Sequence, residues 1–173
     1  MEALQYPIGK FSFPDQYSKE DIEGWIDSIE KAPGLYRRLV ENMTDEELAT
    51  PYRPGGWTAR HVLHHVPDSH MQAYCRFKWV LTEESPTIKP YHENLWAELP
   101  DTIHTPVSVS LNLLAALHHR WVVLMQQMDI VDFDRFYIHP QYGKKYPLAA
   151  ACKLYAWHGN HHLAHLKLIK PDA

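Results

Sequence analysis

The sequence predicts an all-α protein, a four-helix bundle, on three observations. Four long segments carry apolar residues three and four positions apart, the spacing of a single helix face. Two of them open on a residue that caps a helix, Ser18 and Thr58. A long irregular stretch over 82–104 suits a crossover between the second and third helices, so these two need not be antiparallel.

Residues 1–17 hold Pro7, Gly9, Pro14 and several aromatics, and read as an irregular arm that packs by its rings. Ser18, followed by Glu20 and Asp21, marks a helix start, because its hydroxyl can accept from a free N–H and the acids favour the N-terminal end. Ile22, Trp25, Ile26 and Ile29 continue at helical spacing. Pro33-Gly34 is expected to kink or break this helix, after which Leu35, Leu39, Val40 and Met43 restore the period. Thr44 and Glu47 form a capping-box pattern for a short turn. Pro51 to Gly56 is a loop. Thr58 is the N-cap candidate of the second long helix, with Trp57 and Val62 placed to form a hydrophobic staple. That helix runs to about Leu81, with a bend expected at Pro67.

After the crossover, which carries Pro86, Pro90 and Pro100, a third helix spans about Pro106 to Met128. Its expected buried stripe is Val109, Leu113, Leu117, Trp121, Leu124 and Met128. Residues 129–147 predict a short β-hairpin or structured loop, with its turn over Pro140 to Gly143. Pro147 suits the first turn of the fourth helix, which runs to about Ile169 and ends before Pro171.

The 173 residues fit one domain over 1–173. A net charge of -4 and the lack of a Lys/Arg run argue against nucleic acid as partner. The N-terminus has no apolar signal segment and no stretch of 18 or more apolar residues exists, so a cytoplasmic location without membrane attachment is expected. Two cysteines, Cys75 and Cys152, are too few for a disulfide framework and read as buried thiols.

Histidine is the outlier, at 13 of 173 residues. The residues cluster: His61, His64, His65 and His70; His118 and His119; His158, His161, His162 and His165. Side chains four apart on a helix lie one above the other, about 5–6 Å apart at Cβ, and can reach one ion. His158 with His162 and His161 with His165 both have this spacing. Tyr155, Gly159, His162, Leu166 and Ile169 form a bundle seam, and His158 borders it. Two imidazoles leave a site incomplete, because catalytic ions usually take three protein ligands. The second helix offers His61, His64, His65 and His70. His61 and His65 are again four apart, so spacing leaves a two-plus-two site open.

Gly55-Gly56-Trp57-Thr58, His64-His65-Val66-Pro67-Asp68-Ser69-His70 and Tyr155-Ala156-Trp157-His158 with His161-His162-Leu163-Ala164-His165 resemble the DinB superfamily, and within it the YfiT-like branch of metal-dependent hydrolases. Tyr6-Pro7-Ile8-Gly9, Thr50-Pro51-Tyr52-Arg53, Arg76-Phe77-Lys78 and Leu81-Thr82-Glu83-Glu84 agree, so the likeness spans nearly the whole chain. It implies a four-helix bundle with a long crossover and one divalent metal ion, zinc or nickel first, held by His65, His158 and His162. Departures from the pattern are Pro67, close after His65, and Gly159-Asn160 between the two late histidines. Gly159 weakens the helix by about 1 kcal/mol and leaves room for an ion or substrate.

Asp68, His61 and His161 are candidates for a supporting shell, with His165 beside them, since a ligand imidazole usually donates its other N–H to an oxygen. His118 and His119 read as surface or packing residues. No nucleophile elbow, phosphate loop or H-E-x-x-H motif is present, so catalysis would run through the ion. The resemblance implies hydrolysis by activated water, or alternatively S-transfer of a low-molecular-weight, bacillithiol-like thiol. A non-catalytic metal-binding protein is the third reading. A small-molecule substrate and a homodimer are the partners it implies.

Overall fold

The computed structural model describes residues 2–141 and 143–171. Four long helices dominate: α2 (Lys19–Val40), α4 (Ala59–Thr82), α7 (Val107–Gln126) and α8 (Leu148–Ile169). Around them lie α1 (Glu2–Gln5), α3 (Asp45–Ala49), α5 (Glu93–Ala97), α6 (Pro100–His104), a 3₁₀ turn (Ile130–Asp134) and a hairpin of β1 (Phe136–His139) and β2 (Lys144–Pro147).

The helix starts follow local chemistry. Ser18 and Asp21 close a reciprocal capping box on α2, and Thr44 and Glu47 close one on α3. Thr58 caps α4 by accepting from His61 N–H at 3.3 Å. Trp57 and Val62 then pack into the same apolar cluster, as a staple requires. Pro33 and Pro67 do not end their helices: α2 and α4 run through both. Pro33 strips the Ile29 carbonyl of its helix donor, and the break expected there is averted from across the bundle, where His118 Nδ1 stands 2.6 Å from that oxygen.

Around the bundle the order is α2, α8, α4, α7, with α2 and α4 on opposite corners. Contacts between side chains give the directions. Along α4 and α7, His64 meets Ser110 and His70 meets His118, so these neighbours are parallel. Along α4 and α8, His70 meets His158 and Arg76 meets Tyr155, so these are antiparallel. Parallel neighbours need a connection that returns the length of the bundle. The segment carrying α5 and α6 supplies it, as the crossover reading expected. Its start is pinned to the hairpin, Ile88 N–H donating to Ile138 carbonyl and Ile138 N–H to Pro86 carbonyl. The hairpin pairs Phe136 with Pro147 and His139 with Lys144. Tyr142, within the expected turn, lies outside the described residues.

The core comes in two parts. One gathers Ile26, Ile29, Phe77, Trp121, Cys152 and Tyr155. The other gathers Tyr36, Leu63, Val66, Leu114, Leu163 and Leu166. Every long helix passes from one part to the other, and three of them do so at histidines: His70 on α4, His118 on α7, and the 158–162 turn of α8.

Three expectations need correcting. The arm begins with the short helix α1, although rings do fasten its remainder, Phe11 against Trp157 and Phe13 against Tyr146. The α7 stripe is out of phase: Val109 and Leu113 are 52% and 43% exposed. The buried face of α7 runs Ser110, Leu114, Leu117, His118, Trp121 and Met125, and its two polar members hide it from a hydrophobic count. Cys152 is buried as expected, but Cys75 is only half-buried. α7 is long and apolar enough to cross a membrane, yet it packs against α2 and α4 as a bundle helix.

Replacing Thr58 with Ala removes the α4 cap, and a loss of about 1 kcal/mol is expected in urea unfolding.

Candidate metal centre

α4 and α8 bring three imidazoles to one point. The ligand nitrogens of His65, His158 and His162 all lie within 4.8 Å of one another. His65 Nε2 and His158 Nε2 are 3.3 Å apart. Two nitrogens on one tetrahedral ion, at about 2.0–2.1 Å each, would stand about 3.3–3.4 Å apart. Ring centroids are separated by 5.3 Å for 65–158, 5.0 Å for 65–162 and 4.5 Å for 158–162. The set is neutral, borderline in softness and drawn from two helices, a donor chemistry that fits a first-row divalent ion.

Burial keeps these rings uncharged. It lowers His65 to about 4, and holds His158 and His162 well below the usual imidazole range, with neighbouring imidazoles adding to the effect. A neutral ring has one N–H and one lone pair, and only the lone pair can hold a metal.

The remaining histidines sort by distance. His61 sits at the α4 cap, its Nδ1 2.6 Å from Thr58 Oγ1. His64 faces α7, with Nδ1 2.7 Å from Ser110 Oγ. His161 stacks on Trp157 at 4.4 Å and on Tyr6 at 5.9 Å. Its Nδ1 is buried without a hydrogen-bond partner. Asp68 is raised to about 6 by burial and then by Asp101.

Two further rings adjoin the trio, His70, one of the second-helix candidates, and His118. His70 Nε2 is 3.1 Å from His158 Nδ1, and His70 Nδ1 is 2.8 Å from His118 Nε2. His118, expected at the surface or in packing, is 1% exposed. No periodic signal reveals this pairing, because it joins two helices. On the other side, His165 Nδ1 is 3.4 Å from His162 Nδ1, and its Nε2 is 3.1 Å from the Gln5 carbonyl.

A cavity of about 320 Å³ opens on two of the trio, His65 and His162, and is walled also by Arg53, Gly56, Trp57 and His161. The Trp57 ring lies 4.6 Å from His65 and 6.4 Å from His162, giving the cavity an apolar side. Gly56 is obligatory in this wall: a Cβ there would come within 2.8 Å of Arg53 Cγ. Gly159 plays no such part. A Cβ on it would meet His70 Cε1 at 3.7 Å and Ala32 Cβ at 3.8 Å, ordinary contacts that face the helices and not the cavity.

With this geometry in place, comparison with known proteins is direct. The profile of the DinB superfamily matches residues 28–166. The chain belongs to the DinB superfamily. It is 48% identical over 170 residues to a Bacillus cereus (strain 03BB102) protein named "Putative metal-dependent hydrolase", covering 98% of this chain and 97% of that one. A Bacillus mycoides (strain KBAB4) relative of the same description is equally similar, at 48% over 170 residues. Among solved structures, YfiT from Bacillus subtilis superposes with a TM-score of 0.95 at 44% identity, over 98% of this chain and 97% of that chain. YfiT is described as a probable metal-dependent hydrolase with an unusual four-helix bundle topology.

Two predictions follow from the burial of this centre. In the metal-free protein, His65, His118 and His161 are each lowered to about 4 by burial, whereas the unfolded chain protonates near the usual value of 6.5. The unfolded state therefore binds more protons between these values. Stability is full above about pH 6.5 and is lost as pH falls toward 4. Asp68 acts oppositely, as one carboxyl against the whole cluster. Urea midpoints measured across this range should fall with acidity. Gly159→Ala should raise stability by up to about 1 kcal/mol in the same assay and leave metal uptake unchanged.

Proposed function

We propose that this chain is a metal-dependent hydrolase whose single divalent ion is held by His65, His158 and His162. The observation that carries the reading is the convergence of three neutral imidazoles from two helices, two of which, His65 and His162, line one cavity. Similarity to relatives named as metal-dependent hydrolases supports it.

When bound, a divalent ion at a three-histidine site supplies Lewis acidity, which brings the pKa of a water toward neutrality or polarises a carbonyl. The protein's own part is positional. His65 and His162 face the cavity and His158 closes the site from behind, so a small molecule approaches from the cavity side. Trp57 lines that approach with an apolar ring beside His65 and His162. Arg53 and Glu93 put one charge of each sign on the cavity wall, where they would orient a polar substrate. Zinc and nickel both suit such donors, and supply decides between them.

Protein purified without a nickel column should contain one equivalent of divalent metal per chain by elemental analysis. His162→Ala should lose the metal and any hydrolase activity together. Retention of a full equivalent by that variant would remove the ligand assignment. Assay of the metal-loaded chain against esters and amides, and against electrophiles with a low-molecular-weight thiol, separates hydrolysis from S-transfer. Turnover only with thiol present would replace hydrolase by transferase, and none in either set would leave a metal-binding protein. The homodimer belongs to the same proposal and is read from the mass in solution.

A further inference from the structure

Two of the buried imidazoles, His70 and His118, are 0% and 1% exposed and do not line the cavity. We propose that they are positioning residues for His158: they fix which of its nitrogens carries the proton and leave Nε2 as a lone pair aimed at the centre of the trio. This rests on the ligand reading given above.

The argument starts from a proline. Pro33 has no N–H, so the Ile29 carbonyl four residues earlier has no donor within α2. A carbonyl oxygen can only accept. His118 Nδ1, 2.6 Å away, must therefore carry the proton. Rings packed together in an apolar interior are neutral, because a charge there is costly, and a neutral imidazole has a single N–H. His118 Nε2 is then an acceptor, and His70 Nδ1 at 2.8 Å donates to it. His70 Nε2 in turn is an acceptor, and His158 Nδ1 at 3.1 Å donates to it. What remains on His158 is the Nε2 lone pair, 3.3 Å from His65 Nε2. Each ring's polarity is dictated by the next, and the first is dictated by a group that cannot donate.

A second, looser chain repeats the logic on His162. The Gln5 carbonyl makes His165 Nε2 the protonated atom. His165 Nδ1 then accepts from His162 Nδ1 at 3.4 Å, which leaves His162 Nε2 free. Both α8 members of the trio are thus oriented through histidines that end on backbone carbonyls, one in α2 and one in α1.

The test reads tautomers and zinc affinity. In ¹⁵N-labelled, metal-free protein, long-range ¹H–¹⁵N correlation should find the proton on Nδ1 in His118, His70 and His158. Zinc titration against a chromophoric chelator should then show His118→Leu binding about 10–100-fold more weakly than the parent chain. His118→Gln should stay within a few-fold, because its amide can donate to the Ile29 carbonyl and accept from His70. Should His118→Leu fail to fold, the tautomers of the parent chain and the Gln variant decide. A parent chain that takes up no zinc overturns the ligand reading and this proposal with it. Zinc uptake with the proton on Nε2 of any of the three rings, or with affinity unchanged in His118→Leu, overturns this proposal alone.

Discussion

The structure depends on one constraint: a layer of imidazoles lies in the bundle interior, and most of its buried nitrogens must find partners, His64 Nε2 and His161 Nδ1 being the exceptions. An unpaired buried polar group costs about 1–3 kcal/mol, so a layer of this kind is tolerable only if most of its members satisfy one another. They do so mostly among themselves and with backbone carbonyls at Ile29 and Gln5. The apolar core is split in two because this polar layer separates its halves. Helix directions follow the same need. α4 antiparallel to α8 sets His70 against His158, and α4 parallel to α7 sets His70 against His118. The long crossover is what a parallel α4–α7 pair requires.

Much of this was legible in the sequence wherever the governing interaction is local. The helix start at Ser18 and the capping box at Thr44 rest on residues three apart, and both form, Ser18 closing a box with Asp21 as well. The i, i+4 spacing of His158 and His162 is a property of one helix, so the pair could be read directly. His65 needed more than spacing: four histidines on α4 competed for the third place, and family likeness chose among them. The structure brings those three rings together.

What escaped the sequence is what is settled between helices. Pro33 signals a break by every local rule, yet α2 continues, because the oxygen it frees is met by a ring 89 positions away. The α7 stripe was misphased because its true inner face includes Ser110 and His118, which a count of apolar residues scores as outward. His70 follows Pro67, and its direction could not be read from a helix whose bend was unknown. Gly159 looked like room for a ligand, but the space beside it belongs to Ala32 and His70.

The donor chemistry explains why such a site can sit in a bundle interior at all. Three carboxylates gathered at this depth would repel one another and would each pay heavily for lost hydration. Three imidazoles can be neutral there, and burial drives them further from protonation. The protein can therefore fold around the centre without relying on a cation to cancel buried charge. The same neutrality has a second consequence under the proposed reading. Donors that carry no charge leave an ion's own charge uncompensated, so its polarising power is spent on whatever occupies the cavity side. Rings fixed in orientation by carbonyl-terminated hydrogen bonds add the remaining requirement, a site whose geometry is set before its ligand arrives. Under that reading, foldability without the ion and reactivity with it come from one choice of residue type, and the density of histidines along α4, α7 and α8 is its record in the sequence.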